Sequence, residues 1–544
     1  MNSIFSKDCN TSILLITKGM RFLVIFIFLL AGIEANAQAN ARIIQEVREL
    51  KLPGVTIDEI QDVSTGNFTL KDGQKITGLP SFLRVACTSR PSKDSNIRIE
   101  VWIPENNWNG RFLGTGNGGG AGWISYGALQ SGVMRGFVTA NTDMGTSPSA
   151  YEAVGHPEKW ADFGYRSTHE MTVIAKAILQ LYYKKTPYHS YFVGCSTGGQ
   201  QALMEAQRYP EDYDGIIAGA PANNRTHLHA SFIWNLKANN QFGVKPIISQ
   251  HKMELLSKLV IKNCGGKDGG APGDNFLTDP RIIKFEYLAL PQCPNDAQTD
   301  SCFSEAEINA LKKIYSGPIN PRTGERIYSP LPLGSAYLES TAPHLYLINW
   351  VFGKDYDFEK FDFDHDMEKV DSVLAPLLNA NDPNLDRLKK RGGKILMYTG
   401  TADQLVEFED ALNYYERVIE KQKGLKETQN FFRFFLVPGM GHCGGGPGLT
   451  EFGQGLSRKV VQDGEHDILT AMINWVEKKI APEKMIATAF NCCDEANKVD
   501  FQRPIYPYPK FPKYINGDIK SPYSFQGSDH LQGGVLVPDK IYLK

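Results

Sequence analysis

The sequence has almost no net charge. Its 58 Lys and Arg stand against 60 Asp and Glu, a formal balance of −2. That removes any bulk electrostatic case for binding nucleic acid or an anionic membrane. It has no CxxC pair, so the usual zinc signature is missing. It has no internal repeat and no low-complexity tract. Its longest apolar run, Phe22 to Leu30, is too short to span a bilayer comfortably, so no stable membrane anchor is expected. What remains is ordinary globular composition, 42% hydrophobic and 22% charged, over 544 residues. That length exceeds the roughly 100–200 residues of one ordinary domain and leaves room for a large core with an insertion, or for two domains.

The N-terminus reads as an export signal. Lys18 and Arg21 precede the apolar run, and Ala35-Asn36-Ala37 fits a small-x-small cleavage site, so residues 1–37 are set apart as a signal peptide. The competing reading is an uncleaved anchor. No cysteine follows the run at once, which argues against a lipoprotein. A secreted or periplasmic protein is expected. Of nine cysteines, Cys9 leaves with the signal. Eight stay: Cys87, Cys195, Cys264, Cys293, Cys302, Cys443, Cys492 and Cys493. An even number in an exported chain suggests disulfides.

Residues 96–220 alternate between strand and helix patterns. Strands are predicted at 96–104, 111–115, 136–142, 191–193 and 213–218. Helices are predicted at 168–185, where Met171, Ile174, Ala175, Ile178 and Leu181 share a face, and at 200–208. The pattern breaks at Pro221. Residues 222–388 are full of Gly, Pro, Asn and aromatics. Alternation returns with strands at 394–399 and 431–437 and a helix at 468–478. The fold class is therefore α/β, a parallel-sheet domain built from 38–221 and 389–544 and interrupted by an insertion at 222–388. A lid is the natural reading of so long an insertion; an independent second domain away from the chemistry is the other.

Gly194-Cys195-Ser196-Thr197-Gly198 is a GxSxG motif. The motif is weak by itself, but it lies between a predicted strand and a predicted helix. That is the setting of a nucleophile elbow, where glycines permit a tight turn that exposes the serine. A serine needs a base, and the base an orienting carboxylate. The α/β-hydrolase order is Ser, then acid, then His. Asp403 follows the strand at 394–399, and His442 follows the strand at 431–437 on a Gly-rich loop. Each has a plainer reading, Asp403 as a helix cap near Val406 and His442 as a loop histidine. Ser196 follows Cys195 and His442 precedes Cys443. If those cysteines are bridged, their Cα atoms lie about 5.5–6 Å apart, and nucleophile and base become neighbours of a covalent staple. The competing reading is that the two cysteines pair elsewhere.

This Cys-Ser…Asp…His-Cys constellation resembles the tannase/feruloyl esterase family, which includes mono-(2-hydroxyethyl) terephthalate hydrolases. The matching stretches are NIRIEVWIPENNWNGRFLGTGNGGG (96–120), STHEMTVIAKA (167–177), 194–200, YDGIIAGAPAN (213–223), 392–403 and 438–443. The resemblance implies an α/β-hydrolase core with an inserted lid, and a Cys195–Cys443 bridge beside the triad. It also implies a small lid bridge between Cys293 and Cys302, leaving Cys87, Cys264, Cys492 and Cys493 unassigned. A structural calcium loop is implied as well, in the GGKDGGAPGDNFLTDP that follows Cys264, with Asp268 and Asp274 as ligands and carbonyls from Gly270 and Phe276. The sequence departs from the commoner pattern there, with Gly265 where an Asp is usual. Hydrolase logic places the oxyanion donors at Thr197 N–H and in the loop Gly116–Gly120, at Gly118 with Gly119 next.

The expected chemistry is ester hydrolysis through an acyl-enzyme on Ser196, with no organic cofactor. The resemblance suggests a small aromatic ester substrate (feruloyl, p-coumaroyl or galloyl), free or attached to plant polysaccharide. The insertion offers Tyr328, Tyr337, Tyr346, Trp350 and Phe352 as aromatics to flank such a ring or to fill the core. Three other readings compete: a serine peptidase with the same triad, a terephthalate monoester hydrolase, and an inactive carbohydrate-binding relative. An ester-versus-amide assay separates the first, an acid panel the second, and a p-nitrophenyl ester assay the third.

Overall fold

Successive side chains of a strand point to opposite faces of a sheet, so a strand apolar at nearly every position must be covered on both sides. In the computed structural model the runs 111–115, 191–193, 215–217 and 395–397 obey this. Phe112, Phe192, Ile216, Ile395 and Met397 enter one core, and Leu113, Tyr191, Ile217, Leu396 and Tyr398 the other. The structure describes residues 41–529 and 534, apart from 65, 71, 241, 244, 297–298, 336–341, 458 and 492–497. The export segment 1–37, Tyr337 and the Cys492-Cys493 pair lie outside the described residues.

The main sheet has nine strands, numbered here along the chain: β1 (Val55–Val63), β2 (Phe82–Ser89), β3 (Ile97–Pro104), β4 (Arg111–Thr115), β5 (Val138–Thr142), β6 (His189–Cys195), β7 (Gly215–Gly219), β8 (Lys394–Gly400) and β9 (Phe432–Val437). Their order across the sheet is β1-β2-β3-β5-β4-β6-β7-β8-β9. The β1–β2, β2–β3 and β3–β5 pairs are antiparallel, and every later pair is parallel. Helices cover both faces. Ser167–Tyr183 buries Met171, Ile174, Ala175 and Ile178 on one face, and Ile468–Lys478 buries Leu469, Met472 and Trp475 on the other. This is the α/β-hydrolase arrangement. Every strand expected between 96 and 437 is present, with ends moved by at most two residues. The sequence pattern did not mark the antiparallel strands β1 and β2; β1 is an edge strand with mostly exposed polar residues, whereas β2 is buried along nearly its whole length.

Between β7 and β8 the regular elements described are helices joined by long loops, with Arg225–Ala238, Gln250–Cys264, Glu305–Ser316, Tyr346–Phe352 and His365–Leu378 the longer ones. Its core is continuous with the sheet domain: Phe232, Ile348 and Trp350 pack in one cluster with Met144, Ala150 and Phe163. Trp350 Nε1 donates to the Ala150 carbonyl at 2.8 Å, and Gln200 Nε2 to the Leu378 carbonyl at 2.7 Å. Tyr328, Tyr346 and Trp350 are spent in this core.

Candidate active site

Parallel strands deliver their following loops to one edge of the sheet, and three such loops build the site. After β6 the chain turns sharply at Ser196, which holds φ +64° and ψ −119°. A side chain rarely adopts that conformation, at a cost of about 1–3 kcal/mol, unless its surroundings impose it. Here they do. Ser196 N–H donates to the Gly219 carbonyl at 2.9 Å, and the Ser196 carbonyl accepts from Gln200 N–H at 3.0 Å, starting the helix Thr197–Arg208. The turn also needs glycine across from it. A Cβ on Gly116 would stand 2.6 Å from the Gly198 Cα, so the β4 loop lies against the elbow only because Gly116 lacks a side chain.

After β8, Asp403 is fully buried. Its Oδ1 accepts from the N–H groups of Leu405 (2.9 Å) and Val406 (3.0 Å), and its Oδ2 lies 2.8 Å from His442 Nδ1. Asp403 is therefore no helix cap, since the next helix starts only at Phe408; one oxygen closes the turn at Leu405 and Val406 and the other meets His442, and the turn fixes the direction in which the second oxygen points. After β9, His442 rides on the loop that starts at Pro438. Cys195 and Cys443 are bridged, with Cα atoms 5.9 Å apart, and a second bridge joins Cys293 to Cys302. Cys87 and Cys264 are free and buried.

Ser196, Thr197, Gly118, Gly119 and His442 line one cleft of about 440 Å³. Gly118 and Thr197 find no main-chain acceptor for their N–H groups among the described residues. A Cβ on Gly118 would meet no atom within 4 Å, so this residue faces open space. The far wall is Leu228, Phe232, Leu405 and Val406, with His229 and His344. Of the insertion aromatics singled out from the sequence, Tyr328, Tyr346, Trp350 and Phe352 do not line this cleft. Burial, then the Arg225 guanidinium, holds both imidazoles below their ordinary pKa, His229 strongly so.

Arg225 escaped the sequence reading. It is buried, and its guanidinium donates to Thr197 Oγ1 (2.9 Å), the Gly119 carbonyl (3.0 Å) and the Tyr346 hydroxyl. Thr197 Oγ1 itself donates to the Gly119 carbonyl at 2.6 Å. One cation thus ties the loop Gly116–Gly120, the start of the helix Thr197–Arg208 and the insertion together. The only signal was its place just after the matched stretch ending at Asn223.

The loop after Cys264 sits beside the histidine loop. A Cβ on Gly439 would lie 2.6 Å from the Phe276 ring. Thr401 Oγ1 donates to the Leu277 carbonyl (3.3 Å) and accepts from Gly439 N–H (2.9 Å). Asp268 Oδ1, Asp274 Oδ2 and Thr278 Oγ1 converge 3.1–3.2 Å from where a Gly270 side chain would begin. Asp268 is buried with N–H donors as its hydrogen-bond partners, Gly270 N–H at 3.1 Å and Thr278 N–H; Asp274 Oδ1 also pairs with Arg503 at 3.0 Å. Converging oxygens around a glycine, one from a buried carboxylate that pairs with no cation among the described residues, fit a hard cation such as calcium.

A family model described as tannase and feruloyl esterase matches residues 83–353 and 347–527. The chain belongs to this family. An uncharacterized esterase of Xanthomonas campestris is 34% identical, over 95% of this chain and 96% of that protein. A probable feruloyl esterase B-2 of Aspergillus terreus is 32% identical, over 85% and 90%. The crystal structure of an esterase from Aspergillus oryzae superposes with a TM-score of 0.82 at 29% identity, covering 90% of this chain and all of that one. The protein is a carboxylic ester hydrolase of the tannase and feruloyl esterase family. Among the described residues of this esterase, no helix is long and apolar enough to cross a membrane.

Proposed function

We propose that this esterase cleaves esters of aromatic acids through an acyl-enzyme on Ser196. The observation that carries the reading is the shared cleft. A serine forced outward at φ +64° opens into the same space as a histidine held by a buried aspartate. In this mechanism Ser196 Oγ attacks the ester carbonyl while His442 takes its proton. Thr197 and Gly118 N–H groups receive the developing oxyanion. His442 then protonates the leaving alcohol, and water repeats the sequence to free the acid. Asp403 orients the imidazole and stabilises its charged form.

The acyl wall supports an aromatic acid. Leu228, Phe232, Leu405 and Val406 give a flat ring apolar contact. The relative named a probable feruloyl esterase points the same way. On this reading the substrate is a feruloyl, p-coumaroyl or galloyl ester, free or attached to plant polysaccharide, met outside the cytoplasm after export of the chain. Two disulfides suit that setting. Calcium belongs to the reading as a structural ion, held by Asp268 and Asp274 with the carbonyls of Gly270 and Phe276. When bound it compensates charge in the loop under the histidine segment.

The test is a panel of methyl ferulate, methyl p-coumarate, methyl gallate and a terephthalate monoester, with wild type and Ser196→Ala side by side. Turnover of the hydroxycinnamates or gallate by wild type alone is expected. Preference for the terephthalate monoester would move the assignment to that acid. Activity on none would remove it.

A further inference from the structure

At the far end of the helix that follows Ser196, three side chains of ligand type meet outside the ester site. His169 stands on the helix Ser167–Tyr183, Glu205 on the last turn of Thr197–Arg208, and Asp212 in the turn that leads to β7. From Ser196 to Glu205 the helix rises about 13 Å, so the cluster is remote from the reacting serine. One imidazole nitrogen and two carboxylate oxygens, one from each residue, lie within 4.8 Å of one another. His169 Nδ1 is 2.6 Å from Asp212 Oδ2. The Tyr209 ring stacks on the imidazole at 3.9 Å and fixes its plane.

Glu205 decides what this cluster needs. Its side chain is fully buried, and neither carboxylate oxygen has a hydrogen-bond partner among the described residues. An ionised carboxylate in that position requires a cation. The Lys176 ammonium beside it donates instead to the Asp212 main-chain carbonyl. Burial, then the Asp212 carboxylate, pushes Glu205 well above the ordinary carboxylate range. Positive charge is thus missing at the centre of the three. The cluster also has an open side, because the His169 and Asp212 side chains keep 31% and 13% of their surface. A bare metal ion bonds its ligands at about 2.0–2.2 Å, closer than the ~2.8 Å of a water oxygen, so a gap shut to water admits an ion.

We propose that His169, Glu205 and Asp212 form a metal site, separate from the calcium loop, for a divalent transition-metal ion of the zinc class. One imidazole and two carboxylates are a set that zinc accepts without cysteine, with water in the fourth position. The nitrogen ligand disfavours calcium, which takes oxygens. On binding, the ion replaces the proton between His169 Nδ1 and Asp212 Oδ2. His169 then carries its proton on Nε2, and a proton held by Glu205 leaves to solvent. The two carboxylate charges are balanced by the ion. The site joins two helices and the turn before β7, so it acts on the stability of the core and not on the ester chemistry.

The experiment strips the full-length protein of metal with a chelator, then titrates it with zinc chloride in excess calcium, which fills oxygen-only sites. Wild type should retain one zinc ion per chain through gel filtration. Its thermal midpoint should rise by several degrees while turnover of a p-nitrophenyl ester stays the same. The half-buried His169 and Asp212 carry the test, since Glu205 sits in the core: His169→Gln and Asp212→Asn should each weaken zinc binding at least about tenfold. Glu205→Gln, which keeps the shape and removes the charge, should abolish the zinc-dependent rise in midpoint. Failure of wild type to retain zinc overturns the proposal and leaves Glu205 and Asp212 sharing a proton. Equal zinc affinity in wild type and both half-buried variants overturns it as well. So does zinc that inhibits the ester reaction in all three proteins alike, which would place the ion at His442.

Discussion

The strand-end loops and the insertion reach the same cleft by different routes. Ser196, Asp403 and His442 each stand within a few residues of a strand end, and main-chain groups aim two of them: the Gly219 and Gln200 bonds at Ser196, and the Leu405 and Val406 N–H groups that donate to Asp403. The insertion brings Arg225, Leu228, His229, Phe232 and His344 from two distant segments, and only tertiary packing sets their positions. The strand ends hold reacting groups whose geometry is encoded locally. The insertion holds walls and ties that are encoded only by the whole fold. Damage to the first should therefore appear in kcat with little loss of stability, and damage to the second in selectivity and melting temperature together.

The largest test is Ser196→Ala. Removal of a triad nucleophile costs on the order of 10⁴–10⁶ in rate. Its side chain makes no packing contribution that alanine lacks beyond one hydroxyl, so the thermal midpoint should move little. Residual activity above about a tenth of wild type, a deficit under ~1.4 kcal/mol, would place the nucleophile elsewhere and erase the contrast.

Next comes the staple. The double replacement Cys195→Ala with Cys443→Ala should fold, and should lose activity on the order of 100-fold, the cost of a shift of about 1 Å between nucleophile and base. Chain-entropy models give a loop of this size a stabilisation of about 5 kcal/mol as an upper bound. Much of it should be tolerated, because Cys195 is also registered against Gly219 in the sheet and Ala402 N–H donates to the Met440 carbonyl at 2.9 Å. Peptide mapping of the non-reduced protein is the direct check. A free Cys195 or Cys443, or either paired with Cys87 or Cys264, would refute the bridge. A melting temperature that collapses while specific activity holds would reverse the comparison.

The same contrast explains what could be read in the sequence. Short apolar runs ending in Gly, Asp or His announce parallel strands and their loops, so β4 to β9 and the three triad positions were legible one by one. The cleft walls were not. Tyr328, Tyr346 and Trp350 look like platform residues in sequence, but their size makes them the filling of the insertion core. Phe232 and His229 lie on a helix that is buried nearly all round, so no amphipathic stripe marked which side faces substrate. Arg225 was hidden for a related reason. A cation buried by three acceptors leaves no local pattern.

Arg225→Met tests that tie. The change keeps length and apolar volume but strips the donors from Thr197 Oγ1, the Gly119 carbonyl and the Tyr346 hydroxyl. Hydrogen bonds from a charged donor contribute about 1.5–3 kcal/mol each at most, and several are shared here. A fall of about tenfold in kcat is expected, with a smaller change in KM and a thermal midpoint lowered by a few degrees. A change in KM alone would make Arg225 a substrate contact, and unchanged kinetics would leave it a purely structural tie.

Calcium is the smallest effect, and it tests where the two regions meet. Its loop belongs to the insertion, yet Phe276 packs on Gly439 and Leu277 is bonded through Thr401 to the same glycine, three residues before His442. Arg503 already neutralises part of Asp274, so the ion has to share that carboxylate with a guanidinium. Weak affinity follows, in the range of about 10⁻⁴–10⁻³ M typical of extracellular modules. At about 1 mM free calcium this adds on the order of 1 kcal/mol to the native state. In a chain this long that corresponds to a melting shift of roughly 2–4 °C or less. A chelator should produce that loss and added calcium should restore it, with Asp268→Asn insensitive to both. Activity at 25 °C should barely change, because the histidine loop is also held by the Cys443 bridge and by the contact with Asp403. Elemental analysis without calcium and a melting curve indifferent to chelator would remove the ion. A chelator that abolishes activity without moving the melting temperature would show instead that this loop of the insertion positions His442 directly.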